Sequence, residues 1–156
     1  MNNGKGWRFT GNERGYLDEV LSSGFGAMET GSMNERLEIK FAQLHQQKYA
    51  ITANSGTSTL HMALNAFGVS EGDEVILPAL SVGMCGFAIW QSGGIPIFAD
   101  VLEDTFLLDP KDVRKKITSK TKAIMPVHMY GNVCNMPEIL KIAKENKLYV
   151  LEDSAQ

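Results

Sequence analysis

From Tyr49 onward, short apolar runs alternate with stretches whose apolar residues recur at helical spacing. Tyr49 to Ala53, Glu74 to Leu77, Ile95 to Ala99, Ala123 to Val127 and Leu148 to Leu151 read as five strands. Thr57 to Phe67 reads as a helix with Leu60, Ala63, Leu64 and Phe67 on one face and Gly68 as its stop. Gly83 to Gln91 and Pro137 to Asn146 read as two more, the latter carrying Ile139, Leu140, Ile142 and Ala143. Asp109-Pro110 opens another, with the aspartate as cap and proline in the first turn. Strands that are short and uniformly apolar are buried on both faces. The alternation therefore predicts an α/β fold, a mostly parallel sheet with helices on both faces.

The chain before Tyr49 has a different pattern. Tyr16, Leu17, Val20 and Leu21 sit at helical spacing within Asn12 to Ser23, and Gly24, Gly26 and Gly31 then predict a loop. Ser32 and Glu35 form an S-x-x-E capping box, each side chain meeting the other's free backbone donor. Leu37, Phe41 and Leu44 are expected to be the buried stripe of the helix it starts. The expected division is a helical segment over 1–47 and an α/β domain over 48–156.

Composition narrows the classes. Hydrophobic residues are 44% of 156, enough for a core, and the formal net charge of -3 argues against nucleic acid or an anionic membrane as partner. The basic run Lys111, Arg114, Lys115, Lys116, Lys120 and Lys122 reads as a solvated helix face and turn. Cys85 and Cys134 form no CxxC and no cluster with histidine, so neither a disulfide framework nor a metal site is expected. Met1 to Trp7 lacks the apolar core of a signal peptide, and no stretch reaches the ~20 apolar residues of a membrane span. These points lead to the expectation of a soluble, cytoplasmic protein.

In sheets of this kind, ligands sit beyond the carboxyl ends of the strands. Asn54-Ser55-Gly56-Thr57-Ser58-Thr59 joins a strand to a helix there. Gly56 permits close approach, and the free amides of Thr57 and Ser58 at the positive end of the helix dipole suit a phosphate. The same residues also suit an ordinary N-cap cluster. The stretch has neither the Walker lysine nor G-x-G-x-x-G. Glu152-Asp153 ends the last strand. An acid there can bind a metal, hold a protonated ring nitrogen or cap the next turn. His128, after the fourth strand, reads as an acid, a base or a hydrogen-bond donor near a ligand, or as a structural histidine, and Tyr130-Gly131 as a turn. His45 and His61 lie on helices and read as structural.

Taken in order, several segments resemble the DegT/DnrJ/EryC1/StrS family of sugar aminotransferases dependent on pyridoxal 5'-phosphate. They are Ser55-Gly56-Thr57, Gly72 to Pro78, Pro96 to Val101, Asp104-Thr105-Phe106 with Asp109-Pro110, Thr118 to Ile124, Pro126 to Gly131, and Glu152 to Gln156. The resemblance runs from about residue 12 to the last residue. It implies the large domain of a fold-type-I aminotransferase, usually a homodimer. It implies that the amides of Thr57 and Ser58, beside Gly56, hold the cofactor phosphate. Asp153 would pair with the pyridine nitrogen, and Gln156 would reach the region of the 3-hydroxyl. The implied substrates are nucleotide-linked keto sugars, as in polysaccharide biosynthesis, with glutamate as a common amino donor. His128 and Tyr130 are weaker candidates near the substrate.

Two features depart from the family pattern. Val82 stands where an aromatic residue usually covers the cofactor ring, forgoing the ~0.5–1.5 kcal/mol that aromatic stacking can add. The cofactor-bearing lysine is expected downstream of Gln156, so no catalytic residue is assigned within this chain. The chain is accordingly expected to be an inactive, truncated amino-terminal fragment with an incomplete large domain. Relatives that replace this lysine with histidine are sugar dehydratases, which is one alternative. A non-catalytic binding or regulatory domain and an unrelated parallel α/β binding module are the others.

Overall fold

The computed structural model describes residues 11–24, 26 and 29–156. The segment Met1 to Trp7, read above for a signal peptide, lies outside the described residues. The chain divides into two compact units, Met1–Thr52 and Ala53–Gln156.

The first unit holds α1 (Glu13–Ser22) and α2 (Met33–Leu44). Ser32 caps α2, its Oγ accepting from the Glu35 amide at 3.3 Å, and the Glu35 carboxylate accepts from the Gly31 amide. The expected buried stripe is not buried. Leu37 and Phe41 are half exposed, Leu44 is 76% exposed, and Ala42 is the buried residue of α2. The described part of this unit is too small to lay a second apolar layer over that face.

Residues 49–53, expected as a strand, pair with no strand among the described residues. The Thr52 amide and hydroxyl both donate to the Glu38 carboxylate, at 2.8 and 2.9 Å. A side chain thus takes the donor that a sheet neighbour would have used. Apolar residues alone do not make a strand where no partner edge lies alongside.

The second unit is built as α3 (Gly56–Ala66), β1 (Glu74–Pro78), α4 (Gly83–Gln91), β2 (Ile95–Ala99), α5 (Pro110–Lys116), β3 (Thr121–Ile124), α6 (Met136–Asn146) and β4 (Tyr149–Val150). The four strands form one parallel sheet in the order β2-β1-β3-β4. Local chemistry sets the ends of the helices. Asp109 caps α5 through the Lys111 amide at 2.8 Å, with Pro110 in the first turn. Gly68, at φ +72, closes the turn after α3 in the left-handed region that other residues avoid.

The crossover from β1 to β2 runs one way along the sheet, and the crossovers from β2 to β3 and from β3 to β4 run the other. Right-handed connections therefore put α4 on one face and α5 and α6 on the opposite face. The packing agrees, since α4 touches α3, β1 and β2 whereas α5 and α6 touch each other. Phe67, at the end of α3, stacks on Tyr149 of β4 with ring centroids 4.5 Å apart. The core runs between the layers through Leu64, Val75, Ile76, Leu77, Ile89, Ile124, Ile139 and Ile142.

Ile76 is fully buried in the middle of β1, in register with Ile97 of β2 on one side and Ile124 of β3 on the other. Ile76→Ala is expected to lower the unfolding free energy in urea by about 2–5 kcal/mol. Trp90, at 69% exposed, is expected to change it by less than about 0.5 kcal/mol when replaced by alanine.

Candidate functional site

Beyond the carboxyl ends of β1 and β4 lies an open cleft of about 400 Å³, within the range of about 300–1,000 Å³ typical of small-molecule sites. Three segments line it. Gly56, Thr57, Thr59 and Leu60 come from the first turn of α3, Val82, Met84 and Cys85 from the start of α4, and Glu152 to Ala155 from the stretch after β4. Crossovers of β1 and β3 diverge here, and such a switch point opens a crevice between the connections.

Ser55 caps α3. Its Oγ accepts from the Ser58 amide at 3.2 Å and lies 3.0 Å from the Ser58 hydroxyl. Thr59 turns its hydroxyl back onto the Gly56 carbonyl at 2.7 Å. The cap thus takes the Ser58 amide. Gly56 and Thr57 are left as the helix-start residues whose amides have no place in the intrahelical ladder. A Cβ added at Gly56 would meet nothing within 4 Å, so this end of the cleft is open where an anion would approach the dipole.

Asp153 stands opposite. Its amide donates to the Pro126 carbonyl at 2.9 Å, and its carbonyl accepts from the His128 amide at 3.0 Å. Oδ1 accepts from the Ala155 amide at 3.1 Å, and Oδ2 from the Cys85 thiol at 3.2 Å. Successive residues on extended backbone point to opposite sides, so the neighbouring Glu152 side chain goes to His128. His128 Nε2 lies 3.1 Å from Glu152 Oε2, and Nδ1 accepts from the Cys134 amide at 3.3 Å. An accepting Nδ1 carries no proton, so the network assigns the ring proton to Nε2.

The cleft therefore brings together Gly56, Thr57, Val82 and Asp153. Ser58, Gln156, His128 and Tyr130 do not line it. His128 is buried, and both its ring nitrogens are committed to protein partners that hold the turn after β3. Tyr130 is 72% exposed at φ 58, and its amide donates to the Gln156 side-chain oxygen. That bond joins the Gln156 side chain to the turn. A second hollow of about 320 Å³ lies within the first unit, lined by Glu19, Val20 and Asn34 among others, and holds none of the expected site residues.

Cys85, like its neighbour Met84, is a cleft residue that sequence reasoning missed. It lies one helical turn beyond Val82, a spacing that puts both on the same face, and this was the available signal. Burial, with the adjacent Asp153 carboxylate, pushes its thiol up to about 12. Both cysteines are free and buried, and burial also raises the Cys134 thiol. Among the described residues no cluster of His, Cys, Asp or Glu could hold a metal ion, and no helix is long and apolar enough to cross a membrane.

The model of the DegT/DnrJ/EryC1/StrS aminotransferase family matches residues 9–156. GDP-perosamine synthase of Escherichia coli O157:H7 is 44% identical over 147 residues, covering 94% of this chain and 40% of that protein. The crystal structure of S. venezuelae DesV in complex with a ketimine intermediate superposes with a TM-score of 0.86 at 34% identity, covering 92% of this chain and 38% of that one. E. coli GDP-4-keto-6-deoxy-D-mannose-3-dehydratase with bound hydrated PLP superposes with a TM-score of 0.81 at 29% identity, covering 94% and 39%. The chain spans about two-fifths of the length of the curated relatives it matches.

A raised thiol pKa means that the reactive thiolate is scarce until the pH nears that value. Alkylation of Cys85 by iodoacetamide, followed by peptide mapping, is expected to stay slow through pH 10 and to rise only toward about 12. An ordinary midpoint near 9 would show that neither burial nor Asp153 acts on the thiol.

Proposed function

Because this chain belongs to the DegT/DnrJ/EryC1/StrS aminotransferase family, we propose that the protein transfers an amino group to a nucleotide-linked keto sugar with pyridoxal 5'-phosphate as cofactor. The observation that carries this reading is the meeting of Gly56 and Thr57, at the positive end of α3, with the Asp153 carboxylate in one ligand-sized cleft. These residues fit the cofactor's two charged ends. The amides of α3 receive a phosphate without any lysine or arginine, through the helix dipole and free N–H groups. Asp153 would pair with the protonated ring nitrogen by a charge-assisted hydrogen bond. Val82, half exposed in the cleft, would cover one face of the ring.

Bound there, the cofactor supplies an electron sink, its protonated ring drawing off the charge that develops during amino transfer. The protein's share of that chemistry would be to keep the Asp153 carboxylate aimed, through the bonds that hold it, and to keep the phosphate anchored. No lysine among the described residues lines the cleft. The cofactor-bearing lysine belongs, on this reading, after the Glu152 to Gln156 motif. Ser58 contributes through the cap of α3, and Gln156, His128 and Tyr130 support the turn after β3 or approach the substrate in the whole enzyme.

The sugar is nucleotide-linked by analogy with the GDP-perosamine synthases, and glutamate is the proposed amino donor, as the name of a relative from Bacillus subtilis states for that enzyme. The proposed setting is cytoplasmic, since two free buried thiols suit a reducing compartment. The proposed assembly is a homodimer, the usual form for the family. Likeness to the E. coli 3-dehydratase favours one second reading, dehydration of the sugar, decided by whether lysine or histidine fills the cofactor-bearing position.

Titrating the chain with pyridoxal phosphate and following absorbance tests the cofactor site. Saturable binding is expected. Asp153→Ala should weaken it about 10- to 100-fold, through loss of a charge-assisted hydrogen bond. Gly56→Val should also abolish it by filling the phosphate end. Borohydride should leave no covalent adduct. Absent binding, or binding indifferent to both substitutions, would refute the reading, and an adduct mapped to one lysine of this chain would overturn the placement of the cofactor-bearing lysine.

A further inference from the structure

Asp153 is the most completely restrained side chain in the cleft. Its backbone is held from both directions, by the Pro126 carbonyl and the His128 amide, and each carboxylate oxygen already accepts one hydrogen bond. Carboxylate oxygens have two acceptor sites each. One site per oxygen remains, and its direction depends on where the existing donors lie. The Ala155 amide is two residues away and would follow Asp153 if the segment moved. The Cys85 thiol would not. It is fixed in the first turn of α4, after β1, and is 1% exposed. It meets Oδ2 from a part of the chain 68 positions away in sequence.

We propose that Cys85 is a positioning residue for Asp153: its thiol donates to Oδ2 and thereby fixes the direction in which the carboxylate faces a ring N–H in the cleft. This inference rests on the cofactor role proposed above for Asp153. A thiol donates only while protonated, and burial keeps Cys85 in that form across the physiological range. The same protonated state makes it a poor nucleophile, so its part in the site is to hold and not to react. The contact also couples the start of α4 to the segment after β4, the two stretches that must keep their spacing for the cleft to accept a ring between Val82 and Asp153.

A buried thiol can also act as a small apolar filler, and the two roles predict opposite rankings. If Cys85 only fills space, alanine is tolerated and serine, which buries a hydroxyl, is worse. If Cys85 positions Asp153, serine preserves the donor and alanine removes it. The test uses the full chain as Cys85→Ala and Cys85→Ser, with pyridoxal phosphate affinity, the absorption spectrum of the bound cofactor and the thermal midpoint as readouts. The expected result is affinity about fivefold weaker for Cys85→Ala, the worth of one hydrogen bond, with a shifted bound spectrum. Cys85→Ser should bind within about twofold of the unaltered chain and retain its spectrum, whatever its thermal midpoint. If Cys85→Ala does not fold, Cys85→Val, which also lacks a donor, takes its place. Unchanged affinity and spectrum in the alanine or valine variant, or a serine variant as weak as alanine, would overturn the inference and leave the cofactor site standing. Failure of the unaltered chain to bind would overturn the cofactor site itself, and the inference with it.

Discussion

Strand β1 is buried on both faces and paired along both edges, and its neighbours β2 and β3 are reached by crossovers that pass on opposite faces. That single constraint organises the second unit. With both edges taken, β1 has only its carboxyl end free, and the chain leaving it must turn at Pro78 and Ala79 into α4. The helix that follows β1 and the helices that follow β2 and β3 therefore separate across the sheet. The gap they leave is the cleft.

What the cleft can do follows from which ends of which elements reach it. Helix α3 presents its positive end, and the segment after β4 presents a carboxylate. An anion and a protonated ring nitrogen are the complementary ligand features. The carboxylate is useful only if it keeps its direction, and the surrounding hydrogen bonds secure that. Asp153 is joined by backbone to the stretch after β3 and by side chain to α4, while Glu152, facing the other way, locks His128 and the turn behind it. The acid pair at the end of β4 is thus divided between a ligand-facing member and a structural one.

Much of the second unit could be read from the chain because its signals are local. Ser55, Asp109-Pro110 and Gly68 fix helix ends through bonds to residues two to four positions away, and the apolar runs of β1 and β2 fall within their observed strands. Tyr49 to Ala53 could not be judged that way. It is apolar, but a strand is a relation between two segments, and Thr52 finds Glu38 instead. The stripe Leu37, Phe41 and Leu44 has correct helical spacing, yet spacing gives a face and not what covers it. The pairing of Gly56 and Thr57 with Asp153 was legible through resemblance to a family, whereas Cys85 with Asp153 was not. Sixty-eight residues separate that pair, and only the order of strands in the sheet brings them to 3.2 Å. Gln156, which the resemblance sends toward the 3-hydroxyl region, accepts through its side-chain oxygen from the Tyr130 amide, a contact that no local pattern in the chain announces.

The central claim is that one cleft, between the start of α3 and the segment after β4, receives the charged ends of pyridoxal phosphate. The most direct measurement is the set of backbone amide resonances in a ¹⁵N-labelled chain during addition of the cofactor. Shifts are expected at Gly56 and Thr57 and at Ser154 and Ala155, growing together with one affinity, with the hollow lined by Glu19, Val20 and Asn34 unaffected. Shifts absent from either side of the cleft, or concentrated at that hollow, would contradict the account.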